Sequence, residues 1–166
     1  NAKINLTFGG IYNNRVLRKM NNNIYEHGQG GGVYTSENVV LNVNNFTIQG
    51  NYAYEGGGLY LNNDATTTIK ACNSADAETT KICENTAIKN GGGIYVNSSS
   101  SKLDFGGACI FNNSAGECGG GICIVGGEIT QKTFGGSVKM GGNSAFYGGA
   151  IAVKGGSISL SRLSFG

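Results

Sequence analysis

The chain has 166 residues, 39% of them hydrophobic, with thirty Gly, eight Tyr, seven Phe and no Pro. That apolar content can bury a core in one domain and excludes the Gly-rich linker class, which lacks aromatics. Only 13% of residues are charged and the net charge is +2, with Lys and Arg scattered apart from Arg15, Arg18 and Lys19. That excludes the basic stripe of a nucleic-acid binder, and no apolar run nears the ~20 residues that span a bilayer.

In chain order the predicted elements recur. An Asn is followed five to seven residues later by Gly-Gly-Gly or Gly-Gly-Ala, and then by alternating apolar residues. Asn23 leads to "GGGVYT" from Gly30, at a looser spacing. Asn51 leads to "GGGLYL" from Gly56, Asn85 to "GGGIYV" from Gly91, Asn113 to "GGGICI" from Gly119, and Asn143 to "GGAIAV" from Gly148. The Asn anchors lie 28, 34, 28 and 30 residues apart, and Ala53, Ala87, Ala115 and Ala145 each follow their Asn by two. Tandem repeats of this period mark solenoids, propellers or arrays.

The local period is two, which belongs to strands. Val33, Leu59, Ile94, Ile122 and Ile151 should point inward, and so should Thr35, Leu61, Val96, Ile124 and Val153. A second piece contributes Met20, Ile48, Ile82, Ile110 and Met140, each three residues before its Asn. A third lies between: "VVLNV" from Val39, "TTTIKA" from Thr66, "KLDF" from Lys102, "EITQ" from Glu128 and "SISL" from Ser157. Three short strands per repeat with Gly and Asn corners predict an all-β fold, a parallel β-helix taken as right-handed, of about five coils of roughly 30 residues. At ~4.8 Å per coil the rod would be about 24 Å long. Residues 1–166 are expected to form one segment, an excerpt of a longer array. The stretch "NLTFGG" at the start and "SRLSFG" at the end both look like interrupted repeats.

The corners have physical work. Gly tolerates positive φ best and Asn next, so Gly32, Gly58, Gly93, Gly121 and Gly149 are expected to turn the chain. Asn23, Asn51, Asn85, Asn113 and Asn143 are expected to stack as a side-chain amide ladder. Tyr34, Tyr60 and Tyr95 share one repeat position and are expected to form an outward-facing ladder. It serves either as a platform for sugar rings or as cross-strand packing.

The five cysteines contain no C-x-x-C pair, and the sole His, His27, is remote, so no metal site is expected. Cys72 and Cys83 bracket the longest repeat's extra residues and are expected to pair. Cys118 and Cys123 flank a glycine corner and can pair too, with Cys109 left over. Buried single thiols are the alternative. Asn5, Asn45, Asn97 and Asn112 open N-x-Ser/Thr sequons. Asp64, Asp76 and Asp104 fall at different phases of their repeats, and Glu55 and Glu117 lie two repeats apart. No convergent carboxylates emerge, so neither catalysis nor a cofactor is expected.

The copies resemble the repeats of the chlamydial polymorphic outer-membrane proteins, which carry GGA-[ILV] and F-x-x-N motifs. "GGAI" from Gly148 matches the first motif, and the other copies hold Gly in place of its Ala. The Phe of the second is replaced by Met20, Ile48, Ile82, Ile110 and Met140. The resemblance implies a β-helical autotransporter passenger at a cell surface, extracellular and adhesin-like, meeting a host-cell receptor or glycan. Two alternatives stand beside it. One is a building block of an extracellular fibre, its partners copies of itself end to end. The other is a polysaccharide-active β-helix enzyme. Nucleic acid is not an expected partner, and the segment is not expected to span a membrane.

Overall fold

The computed structural model describes residues 2–17, 19–21, 24–70, 80–131 and 136–166. Asn23, Cys72 and Asp76 lie outside the described residues. The described residues form no helix, and every strand pair among them is parallel except one, the antiparallel pair Lys19–Asn21 with Ile24–Glu26.

Parallel neighbours need a crossover of a dozen or more residues. Here each crossover is the rest of the repeat, so a strand pairs with its counterpart one repeat away. Val33–Thr35, Leu59–Leu61, Ile94–Val96, Ile122–Ile124 and Ile151–Val153 make one five-stranded sheet in sequence order. Tyr52–Ala53, Thr86–Ala87 and Ser114–Ala115 make a small three-stranded sheet, and a larger, curled sheet of ten strands holds most of the rest. One side of it carries Thr66–Lys70, Lys102–Phe105, Glu128–Gln131 and Ser157–Ser159, and the other Lys81–Cys83, Ala108–Phe111, Val138–Gly141 and Leu163–Phe165. The long strand Val39–Gln49 joins the two sides, because its first half pairs with Thr66–Lys70 and its second with Lys81–Cys83. Asn45, at φ 48°, marks the bend between the halves. Ala2–Tyr12 lies beside the whole of Val39–Gln49.

Alternating side chains decide which face is buried. In Lys102–Phe105, Leu103 and Phe105 are buried, while Lys102 is exposed and Asp104 half-buried. The core between the sheets includes Leu41, Ile48, Leu59, Leu61, Ile69, Ile82, Ile94, Val96, Phe105, Ile110, Ile122 and Ile124, all fully buried. Each is worth about 1.5–3 kcal/mol of transfer free energy. These neighbours come from different repeats, so no repeat closes its core alone.

One register differs from the sequence alignment. The place next to Asn51 is held by Asn14, which bonds the Asn51 side chain, and Ile11, not Met20, pairs with Ile48. Asn14 and Ile11 keep the three-residue spacing of the later repeats. The alignment slipped because a long excursion, containing the Lys19–Asn21 and Ile24–Glu26 hairpin, separates Asn14 from Gly30. Met20 lies on that hairpin.

Candidate functional site

The most regular feature is the corner at the Asn residues. The residue before each ladder Asn is in the left-handed region: Asn13 (φ 55°), Gly50 (67°), Glu84 (56°), Asn112 (55°) and Gly142 (61°). That turn brings the Asn side chain inward and along the stack. Asn51 donates from its backbone N–H and from Nδ2 to Asn85 Oδ1, both at 3.0 Å. Asn85 does the same to Asn113, and Asn113 to Asn143, again at 3.0 Å. The second Nδ2 proton goes to a carbonyl one repeat back. Asn51 reaches Ile11 at 3.1 Å, Asn85 reaches Ile48 at 2.9 Å, Asn113 reaches Ile82 at 2.9 Å, and Asn143 reaches Ile110 at 2.8 Å. Each amide at Asn51, Asn85 and Asn113 thus uses two donors and two acceptor sites, its full capacity. All three residues are fully buried. The apolar residue three before each Asn therefore has two tasks, a core side chain and a carbonyl that the next Asn needs.

The glycine corner is turned one or two residues earlier than the sequence suggests. The positive-φ residues are Gly30, Gly56, Gly91, Gly119 and Gly148, at 60–68°. Gly32, Gly58, Gly93 and Gly121, assigned to the turn from sequence, already stand in strand register, and their rank continues to Ala150 rather than Gly149. They are small for another reason. A Cβ on Gly58 would lie 2.6 Å from the Gly93 oxygen and 3.1 Å from Asn85 Nδ2, and Gly32, Gly93 and Gly121 face the next repeat in the same way. The Gly and Asn motifs are thus one packing unit, each third Gly making room for the next ladder Asn.

Tyr34, Tyr60 and Tyr95 pair in register, with successive ring centroids 5.3 Å apart. They do not form an open platform. Tyr60 and Tyr95 are 1% and 5% exposed, and only Tyr34, at 44%, presents its ring to solvent. Tyr60 and Tyr95 lie outside the main core and build a second cluster with Cys118 and Cys123. Burial, then the Glu55 carboxylate, pushes both phenols well above their ordinary value. Asn97 Nδ2 donates to Tyr60 Oη at 2.7 Å.

The sulfurs of Cys118 and Cys123 lie 2.6 Å apart. Cys83, the expected partner of Cys72, is buried, and burial pushes its thiol up. Cys109 is half-buried. Of the sequon residues, Asn5, Asn97 and Asn112 are exposed, whereas Asn45 is buried and offers no surface for a glycan in the folded chain. Among the described residues, no three His, Cys, Asp or Glu gather where a metal ion would fit. No helix among them is long and apolar enough to cross a membrane.

A recess on the flank lies apart from the repeat's regular positions. The excursion after Asn14 runs beside Tyr52 and leaves an open recess of about 530 Å³ lined by Arg15, Val16, Leu17, Tyr52, Tyr54 and Ile88. The Arg15 guanidinium lies 4.7 Å over the Tyr52 ring, and His27 stacks on Tyr54 at 3.8 Å. Leu17 is 70% exposed at its edge. The signal for it in the sequence is the looser spacing of the first copy, from Asn23 to Gly30.

Residues 79–97 match the family model of the Chlamydia polymorphic membrane protein (Chlamydia_PMP) repeat. That stretch contains Ile82, Asn85, Ala87, Gly91–Gly93 and Ile94, which make one full Asn and Gly corner. Neither the curated proteins nor the solved structures gave a match.

Proposed function

We propose that the chain is a stretch of parallel β-helix displayed at a cell surface as an adhesin-like passenger, with a mechanical and adhesive function rather than a catalytic one. The match of residues 79–97 to a repeat of chlamydial polymorphic membrane proteins carries this reading. The register supports it. Strands pair one repeat apart on three successive faces, so the chain winds as coils about 4.8 Å apart, and the Asn ladder ties each coil to the next. Such a stack is stiff because its polar corners are saturated and its core is shared between coils. The partner would be a host-cell receptor or glycan, met on the flank. The recess beside Arg15, Tyr52 and Tyr54 offers the aromatic faces and the cation that such contacts use.

The test has two arms. Antibodies against the chain should label intact, unpermeabilised source cells, and beads coated with the chain should bind epithelial cells more than beads coated with heat-unfolded chain. Labelling only after permeabilisation would remove the surface reading. Surface labelling with no binding above the unfolded control would remove the adhesive one. Long fibres of the chain in electron microscopy would replace it with a fibre subunit.

A further inference from the structure

We propose that Cys118 and Cys123 form a disulfide in the mature protein, a covalent form of a side-chain pair that the repeat places across each glycine corner. The proposal starts from register. The residues just before the glycine run are Gln29, Glu55, Asn90, Cys118 and Tyr147. Backbone bridges join Gln29 to Glu55, Asn90 to Cys118, and Cys118 to Tyr147, and the Gly56 N–H bonds the Asn90 carbonyl. Five residues on stand Tyr34, Tyr60, Tyr95, Cys123 and Ala152, also in register. The corner therefore sets two side chains face to face across the run. Asn90 and Tyr95 hold these two places in one repeat, and the next repeat puts two cysteines there.

The sulfurs are 2.6 Å apart. Non-bonded carbon atoms rest about 3.5–4.0 Å apart, and sulfur is larger, whereas bonded sulfurs are about 2.05 Å apart. The pair is thus held at a separation that two unlinked thiols do not keep. Both residues are fully buried against Tyr95, Val125 and Ala152.

In the reaction two S–H bonds break and one S–S bond forms. Two electrons and two protons pass to an exogenous disulfide, small or carried by a thiol oxidoreductase, which leaves as two thiols. Because neither sulfur reaches solvent, exchange must take place before Tyr95 and Ala152 cover the corner. The bond forms as the stack folds and is afterwards shielded from reductants. This inference does not rest on adhesion; it requires only an oxidising compartment.

The test uses the full chain exported to a bacterial periplasm and purified without reductant. It is unfolded in guanidinium with iodoacetamide, digested with trypsin and analysed by tandem mass spectrometry. Residues 103–132 form one tryptic peptide that holds Cys109, Cys118 and Cys123. The expected peptide carries one label, on Cys109, and gives no backbone fragments between positions 118 and 123 until it is reduced. Labels on both Cys118 and Cys123, or a link from either to Cys72, Cys83 or Cys109, would overturn the proposal.

Discussion

Replacing Asn85 by Ala should be among the most damaging single substitutions in the chain. The Asn85 oxygen accepts the Asn51 N–H and one Nδ2 proton of Asn51, and its own Nδ2 serves Ile48 O and Asn113 Oδ1. Truncation orphans two buried donors on Asn51 and removes a donor from two carbonyl-type acceptors. Each orphaned buried donor costs about 1–3 kcal/mol, so the two together give about 4 kcal/mol. That is a large part of the roughly 5–15 kcal/mol that holds a domain. Asn14→Ala is the matched control. Asn14 is exposed, and its Nδ2 gives one bond to the same ladder at 3.0 Å, so the loss should stay below about 1 kcal/mol. Asn85→Asp sharpens the argument. One carboxylate oxygen keeps the Asn51 donors, but the other would face two acceptors with no solvent. The acid must stay protonated to fit, so its pKa rises on folding above the unfolded value of about 3.9. A raised folded pKa gives stability that is present at low pH and lost as pH rises. Asn85→Asp should therefore be weak at neutral pH and recover towards pH 4. Guanidinium unfolding followed by circular dichroism reads all three variants. A loss below about 1 kcal/mol for Asn85→Ala, or no difference from Asn14→Ala, would refute the reasoning.

Further outcomes follow from other corners. Gly92→Ala would drive a Cβ into the carbonyl oxygens of Ser114 and Gly120, so we expect a loss of about 3 kcal/mol or an insoluble product, checked by soluble yield and melting temperature. Glu84 occupies a left-handed position without being Gly or Asn, and Glu84→Gly should stabilise by about 1 kcal/mol, less the small cost of its exposed 2.7 Å bond from Gln49, measured by the same denaturation. Tyr60 and Tyr95 have folded pKa values raised above the ordinary 10.0, first by burial and then by Glu55. The folded state therefore holds their protons longer than the unfolded one, and their contribution is complete below pH 10.0 and lost as pH climbs above it. Tyr95→Phe should lessen that alkaline loss in unfolding experiments from about pH 9 to 11.

The strand period and the spacing from Asn51 onward were legible in the sequence because both are local. Inward apolar positions such as Leu59, Ile94 and Ile122 alternate in plain view, and the Asn and Gly anchors recur at nearly constant separation. What the sequence hid was non-local. Asn14 lies sixteen residues before its glycine run, and the nearer Asn23 fits the average spacing better. The turning residue within each Gly triplet is not legible, because three identical residues carry no phase. Only the contact between each third Gly and the next repeat's Asn shows that the triplet has two different tasks. The shared Tyr position is legible but the burial of Tyr60 and Tyr95 is not, since a period-two strand cannot show what covers its outer face. The flank recess was illegible for a similar reason. Arg15, Leu17, Tyr52 and Ile88 meet only when an irregular excursion folds back on a regular stack.

The most direct test of the winding is nuclear magnetic resonance of the side-chain amides of Asn51, Asn85, Asn113 and Asn143. The account predicts slowly exchanging Nδ2 protons at Asn51, Asn85 and Asn113, and nuclear Overhauser contacts joining the four residues in that order, with Asn14 beside Asn51. Rapid exchange at Asn85 and Asn113, or contacts that pair these residues in any other order, would contradict it.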